Sequence, residues 1–109
     1  DARLAAAFDA HQRRTTAAGR LLGLDAVPAA VELLEATGAE VVVRPSPWRL
    51  DAAHPELAAM WLRGWVAPAV EQEPALAAGA GRYLDLRLAQ ARAGELTVTV
   101  DHADLLVLP

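Results

Sequence analysis

Three short groups hold the side chains with the most chemical potential. His11-Gln12-Arg13-Arg14 sets an imidazole, which titrates near neutral pH, beside two guanidinium groups. Such a cluster suits a substrate-contacting edge with His11 as proton acceptor. It equally suits a helix end whose cations offset the helix dipole. Trp48 and Arg49 follow Pro45-Ser46-Pro47, a rigid place to hold an aromatic ring and a cation. They read either as the stacking wall of an acceptor pocket or as a plug for the apolar end of a sheet. Trp61 and Trp65 stand four residues apart on a helical stripe with Leu57 and Met60. That stripe is either core packing between helices or a lid over a pocket, with Gly64 to Pro68 as its flexible point. His11, Arg14, Trp48, Arg49, Trp61 and Trp65 are therefore the candidate lining of a substrate pocket, and no catalytic residue stands out.

The other reactive types point to less. Ser46 is the sole serine, lies between two prolines and has no base at a readable spacing, so a serine nucleophile is rejected. His102 stands between Asp101 and Asp104, but neighbours on a strand alternate faces and cannot all converge on a metal. His54, Asp51, Glu71 and Glu73 read as caps or solvated helix ends, and Gly79-Ala80-Gly81 lies inside a helical pattern, not after a strand.

Composition limits the classes. The 109 residues are 54% hydrophobic, 26 of them alanine, with 22% charged residues and a net charge of -4. That balance is too ordinary for a disordered acidic tail. A net negative chain argues against general nucleic-acid binding, and no run approaches the ~18 apolar residues of a membrane span. All ten basic residues are arginine, and cysteine is absent, so disulfides and thiolate chemistry are out. With no signal-peptide pattern, the expectation is a cytoplasmic protein.

Periodicity supplies the elements that would position these groups. Leu4, Ala7, Phe8 and His11 fall on one face of a helix over about 2–14, with Asp1 as its cap. A second helix over about 25–37 has Asp25 as N-cap, Pro28 in its first turn, a stripe of Val27, Val31 and Leu34, and Gly38 as its end. Val41-Val42-Val43 reads as a strand over 40–44 covered on both faces and stopped by Pro45 and Pro47. A third helix spans about 51–73, with a kink or break expected at Pro68. A fourth spans about 75–93, with Leu76, Ala80, Tyr83, Leu84, Leu88 and Ala91 inward and Arg82, Arg87 and Arg92 in water. Leu96, Val98 and Val100 form the drier face of a strand over 96–101, and 104–108 either extends it after a bulge or stands apart. Two strands are too few for a stable sheet, which predicts a piece of a larger α/β domain.

Four segments carry a family resemblance. Phe8-Asp9-Ala10-His11-Gln12-Arg13-Arg14 is one, and Gly38 through Leu50, including Arg44-Pro45-Ser46-Pro47-Trp48-Arg49, is the second. Arg63-Gly64-Trp65-Val66 with Glu71-Gln72-Glu73-Pro74 is the third, and Leu96 through Leu106 is the last. In order and texture they resemble the C-terminal half of bacterial class I S-adenosylmethionine-dependent methyltransferases, over nearly the whole chain. The resemblance implies the C-terminal part of a Rossmann-like sheet, with 40–44 as the sixth strand pairing antiparallel with 96–101 as the seventh. It implies S-adenosyl-L-methionine as cofactor of the full-length protein and a small-molecule methyl acceptor as partner. The family's glycine-rich loop and ribose-binding acid are not matched here, so the cofactor half of the domain is expected to precede residue 1, and the fragment alone is expected to be inactive. The alternatives are a non-enzymatic α+β interaction module complete in itself, and a piece of another Rossmann-like enzyme.

Overall fold

The structure is a computed structural model describing residues 1–109. Helix α1 (Ala2–Gln12) begins at Asp1, whose carboxylate accepts from the N–H groups of Arg3 and Leu4 at 3.1 and 3.5 Å. A two-residue hairpin follows, β1 (Thr15–Thr16) against β2 (Gly19–Arg20), then a 3-10 turn at Gly23–Asp25 and helix α2 (Ala26–Glu35). Asp25 stands at the N-cap position of α2, yet its carboxylate does not cap. It takes two hydrogen bonds from the Arg13 guanidinium instead, at 3.2 and 3.3 Å. Gly38, at φ +87, turns the chain into β3 (Glu40–Pro45). Only glycine adopts that conformation without strain.

The four strands after α2 form one long ribbon, and its pairing differs from the expectation. β3 pairs antiparallel with β6 (Ala103–Leu108), from Glu40 opposite Leu108 to Pro45 opposite Ala103. β4 (Trp48–Leu50) pairs antiparallel with β5 (Val98–Val100), from Trp48 opposite Val100 to Leu50 opposite Val98. The partner of residues 40–44 is therefore the last segment and not 96–101. The register runs unbroken between the two pairs, because the Ser46 N–H donates to the His102 carbonyl at 2.9 Å. Pro47, with no N–H, interrupts the ladder without ending it. That is why a Pro-Ser-Pro stretch that reads as a stop is a short gap in a ribbon of 40–50 against 98–108.

Helix α3 (Pro55–Gln72), a 3-10 turn at Pro74–Leu76 and helix α4 (Ala77–Arg92) lie between β4 and β5 in the chain. α3 runs through Pro68 without the expected break. Val66 and Ala69 on either side of Pro68 are buried in the core, and that packing holds the helix together across the missing hydrogen bond. The predicted inward face of α3 is displaced by one residue. Ala58, Leu62, Val66 and Ala69 are buried, whereas Leu57 and Met60 are exposed.

The core sits among α1, α3 and α4. Leu4, Ala7, Val66, Ala69, Leu76 and Ala80 form one cluster. Leu50, Ala58 and Ala91 form a second, against which Trp61, Leu96, Val98 and Val100 pack. Alanines at 58, 69, 80 and 91 let the helices and the β4–β5 end of the ribbon approach closely. The other end of the molecule is bare. No residue of α2 is buried, Val41, Val42 and Val43 are half-buried rather than covered on both faces, and Leu33, Leu105, Leu106, Val107 and Leu108 are exposed. The accessible surface is 7329 Å², against about 5,800 Å² for a compact monomer of this mass. The radius of gyration is 16.8 Å, against about 13 Å for a compact domain of this length.

Candidate functional site

The six predicted pocket residues fall into three groups on different parts of the molecule. The first joins His11 and Arg14 at the end of α1. His11 is 7% exposed. An Arg14 guanidinium N–H donates to its Nδ1 at 3.0 Å and to its backbone carbonyl at 2.9 Å. The Nε2 lies 3.4 Å from a carboxylate oxygen of Glu71, without the alignment of a hydrogen bond. Arginine donates only, so this contact assigns the lone pair to Nδ1 and the ring proton to Nε2. The lone pair that a general base needs is already occupied by Arg14. In this arrangement the group fastens the α1 terminus beside α3; the Arg14 side chain adds a second donor to the His11 carbonyl, which already accepts the Arg14 backbone N–H at 3.2 Å.

The second group is at the interruption of the ribbon. Trp48 stacks on His102, ring centroids 4.3 Å apart and planes 25° apart. The antiparallel pairing with β6 brings His102 to the carboxyl end of β3, opposite Ser46. Arg49 reaches Asp51 at 3.8 Å. The Ala53 N–H donates to the Asp51 carboxylate at 3.0 Å and, with His54 at 3.5 Å, holds it below the usual carboxylate range. Asp51 thus orders the turn before α3, while His54 occupies the N-cap position with no capping bond of its own. Trp48 and Arg49 line a shallow hollow of about 300 Å³ with Leu50, His54 and Leu57.

The third group is aromatic. Trp61 and Trp65 stack with centroids 5.6 Å apart and planes at 14°. Trp65 also meets Phe8 at 6.4 Å and Tyr83 at 6.1 Å, and the Arg87 guanidinium lies 5.2 Å from the centre of the Tyr83 ring. Trp61, Trp65, Tyr83 and Arg87 line a groove of about 350 Å³ closed on one side by β5 and the residues before it. Neither hollow includes His11.

Sequence reasoning gave Glu71, Tyr83, Arg87 and His102 no part in a site: Glu71 reads as a cap or solvated helix end, Tyr83 as inward packing, Arg87 as solvated, though it is half-buried, and His102 as no metal ligand. The Tyr83–Arg87 pair carried a readable signal, an aromatic and a cation at i, i+4 on a helix. The His11–Glu71 and Trp48–His102 contacts join residues far apart in the chain and carried none.

No group of three or more His, Asp or Glu side chains stands close enough to hold a metal ion. No helix is long and apolar enough to cross a membrane. In comparisons with protein-family models, curated proteins and solved structures, the chain matches none of them.

Proposed function

We propose that these residues are the C-terminal part of a class I S-adenosylmethionine-dependent methyltransferase domain with a Rossmann-like sheet, acting on a small-molecule acceptor. The resemblance in the four sequence segments supplies the family. The structural observation that supports it is the β3–β6 pair. A helix, α2, leads into β3, and β3 pairs antiparallel with the last strand of the chain, β6. The resemblance put residues 96–101 in the place of the seventh strand; on the proposal that place falls to β6, which follows them. The outer edges of β3 and β6 have no partner, and the apolar side chains of β6 are exposed. A bare apolar ribbon is what remains of a sheet whose neighbouring strands belong elsewhere in the domain.

The residues present do not form a cradle for the cofactor. Gly79 and Gly81 lie inside α4, away from any strand-to-helix turn, so on this proposal the glycine-rich loop would lie in the other half of the domain. The 109 residues alone are inactive on this reading.

The test is the reading frame upstream of Asp1, together with calorimetry. The frame encodes a strand followed by a glycine-rich loop and, after the next strand, an acidic residue. The full-length protein binds S-adenosyl-L-methionine and the 109-residue chain does not. A full-length protein without that loop, or one that does not bind the cofactor, overturns the proposal.

A further inference from the structure

We propose that the groove between α3, α4 and β5 is a binding site for a flat aromatic anion, with Trp61, Trp65 and Tyr83 as its stacking wall and Arg87 as its charge-reading residue. The starting observation is an unbalanced cation. Eight of the ten arginines are exposed, and only Arg13 and Arg87 are half-buried. Arg13 is paired in two-pronged fashion with Asp25. Arg87 has no carboxylate within ion-pair distance; its polar contact is the neutral Gln90 side chain at 2.9 Å. A partly desolvated guanidinium without a counter-ion is a standing electrostatic cost. Contact with the Tyr83 ring recovers some of it, and with only Nη1 given to Gln90, the Nε and Nη2 N–H groups have no partner and can meet an anion.

The rest of the groove fixes what else the anion must carry. Its wall is aromatic, and a stacked tryptophan pair offers a broad flat apolar surface on which another ring gains both burial and stacking. Thr97 and Thr99 stand at the rim. The volume, about 350 Å³, is at the small end of ordinary ligand sites and fits one or two fused rings. The chemistry that answers both features at once is a planar ring system bearing a carboxylate.

The location agrees. Val98 and Thr99 lie across the ribbon from Leu50 and Arg49, past the carboxyl end of β3. In the transferase reading that is the end of the sheet where ligands sit, and the aromatic anion would be the methyl acceptor. Binding at the groove does not need that reading.

The experiment is a calorimetric titration of the full-length protein, without cofactor, using naphthalene-2-carboxylate and its neutral isostere naphthalene-2-carboxamide. The carboxylate binds at least about ten-fold more tightly than the amide, the size expected of one charge-assisted hydrogen-bonded pair. In Arg87→Gln that ratio falls to about one, and in Arg82→Gln, an exposed neighbour on the same helix, it is kept. Equal binding of the two probes overturns the proposal, and so does a ratio that survives Arg87→Gln. Should Arg87→Gln fail to fold, as near-ultraviolet dichroism would show, the carboxylate-to-amide ratio of the unsubstituted protein decides alone. A protein that discriminates the probes but transfers no methyl group sinks the transferase reading and keeps the groove. A methyltransferase indifferent to the probe's charge does the reverse.

Discussion

Arg14 meets the Nδ1 of His11 with a donor that has no lone pair to offer in return, and this fixes the proton of a buried ring. We predict the Nε2–H tautomer, read from the ring nitrogen shifts of labelled protein, and its loss of dominance in Arg14→Ala. A ring protonated on Nδ1 at neutral pH contradicts the geometry. The second residue-scale consequence concerns acid. The Arg13 guanidinium, by hydrogen bonding and then by its charge, holds the Asp25 carboxyl below its ordinary value and raises its own. A depressed folded value means that the pair's contribution is complete above the unfolded value of about 3.9 and is lost as pH falls through the folded one. Asp25→Asn therefore lowers the denaturant midpoint near neutral pH, and its difference from the unsubstituted protein shrinks below about pH 4. A difference that stays constant down to about pH 2 would show that the two residues are not coupled. Both groups reach solvent, so the effect is a small one.

At the scale of elements, periodicity is informative where a helix has one apolar face and silent where it has several. Leu4, Ala7 and His11 in α1, and Leu76, Ala80, Leu88 and Ala91 near and along α4, were legible because they recur at helical spacing on a single face. α3 was not legible in phase. Leu57, Met60, Trp61, Leu62, Trp65 and Val66 cover more than one face, so its orientation is settled by which side accepts close approach, and that is the side with Ala58 and Ala69. β4 was missed because prolines 45 and 47 suggest termination, and strand partners are set by contacts distant in sequence. The aromatic pair at 61 and 65 could be read from spacing, whereas its joining to Tyr83 and Arg87 depends on how α3 lies on α4. Gly79 and Gly81 weaken α4 from within. A Cβ added at Gly79 or Gly81 meets nothing within 4 Å, and both positions are exposed and helical. Gly79→Ala and Gly81→Ala are each predicted to stabilise by about 0.5–1 kcal/mol, through lower unfolded-state entropy and better helix propensity. A fall in the denaturant midpoint for either would mean that the glycine serves a contact outside this chain.

For the whole molecule the decisive quantity is surface. The chain exposes about 1,500 Å² more than a compact monomer of its mass, nearly twice the roughly 800 Å² that each partner buries in a standard protein interface. The excess is not spread evenly, because the helical half has two buried clusters while the β3–β6 half presents Leu33, Leu105, Leu106, Val107 and Leu108 to water. Leu106, opposite Val42 at the middle of the ribbon, is 59% exposed and separates the readings. In the isolated 109 residues, Leu106→Lys removes no buried contact, so it should leave the thermal midpoint within about 0.5 kcal/mol of unchanged stability. It should also reduce self-association and binding of an apolar dye, since a lysine on a ribbon discourages edge pairing. In the full-length protein, where the proposal puts further strands and helices over the ribbon, the same lysine is forced under a packed layer and should cost about 2–4 kcal/mol. Measured side by side, a large cost in the long protein with none in the short one supports a shared core. Equal tolerance in both would mean that nothing covers the ribbon, and the half-domain reading would fail on its own central observation.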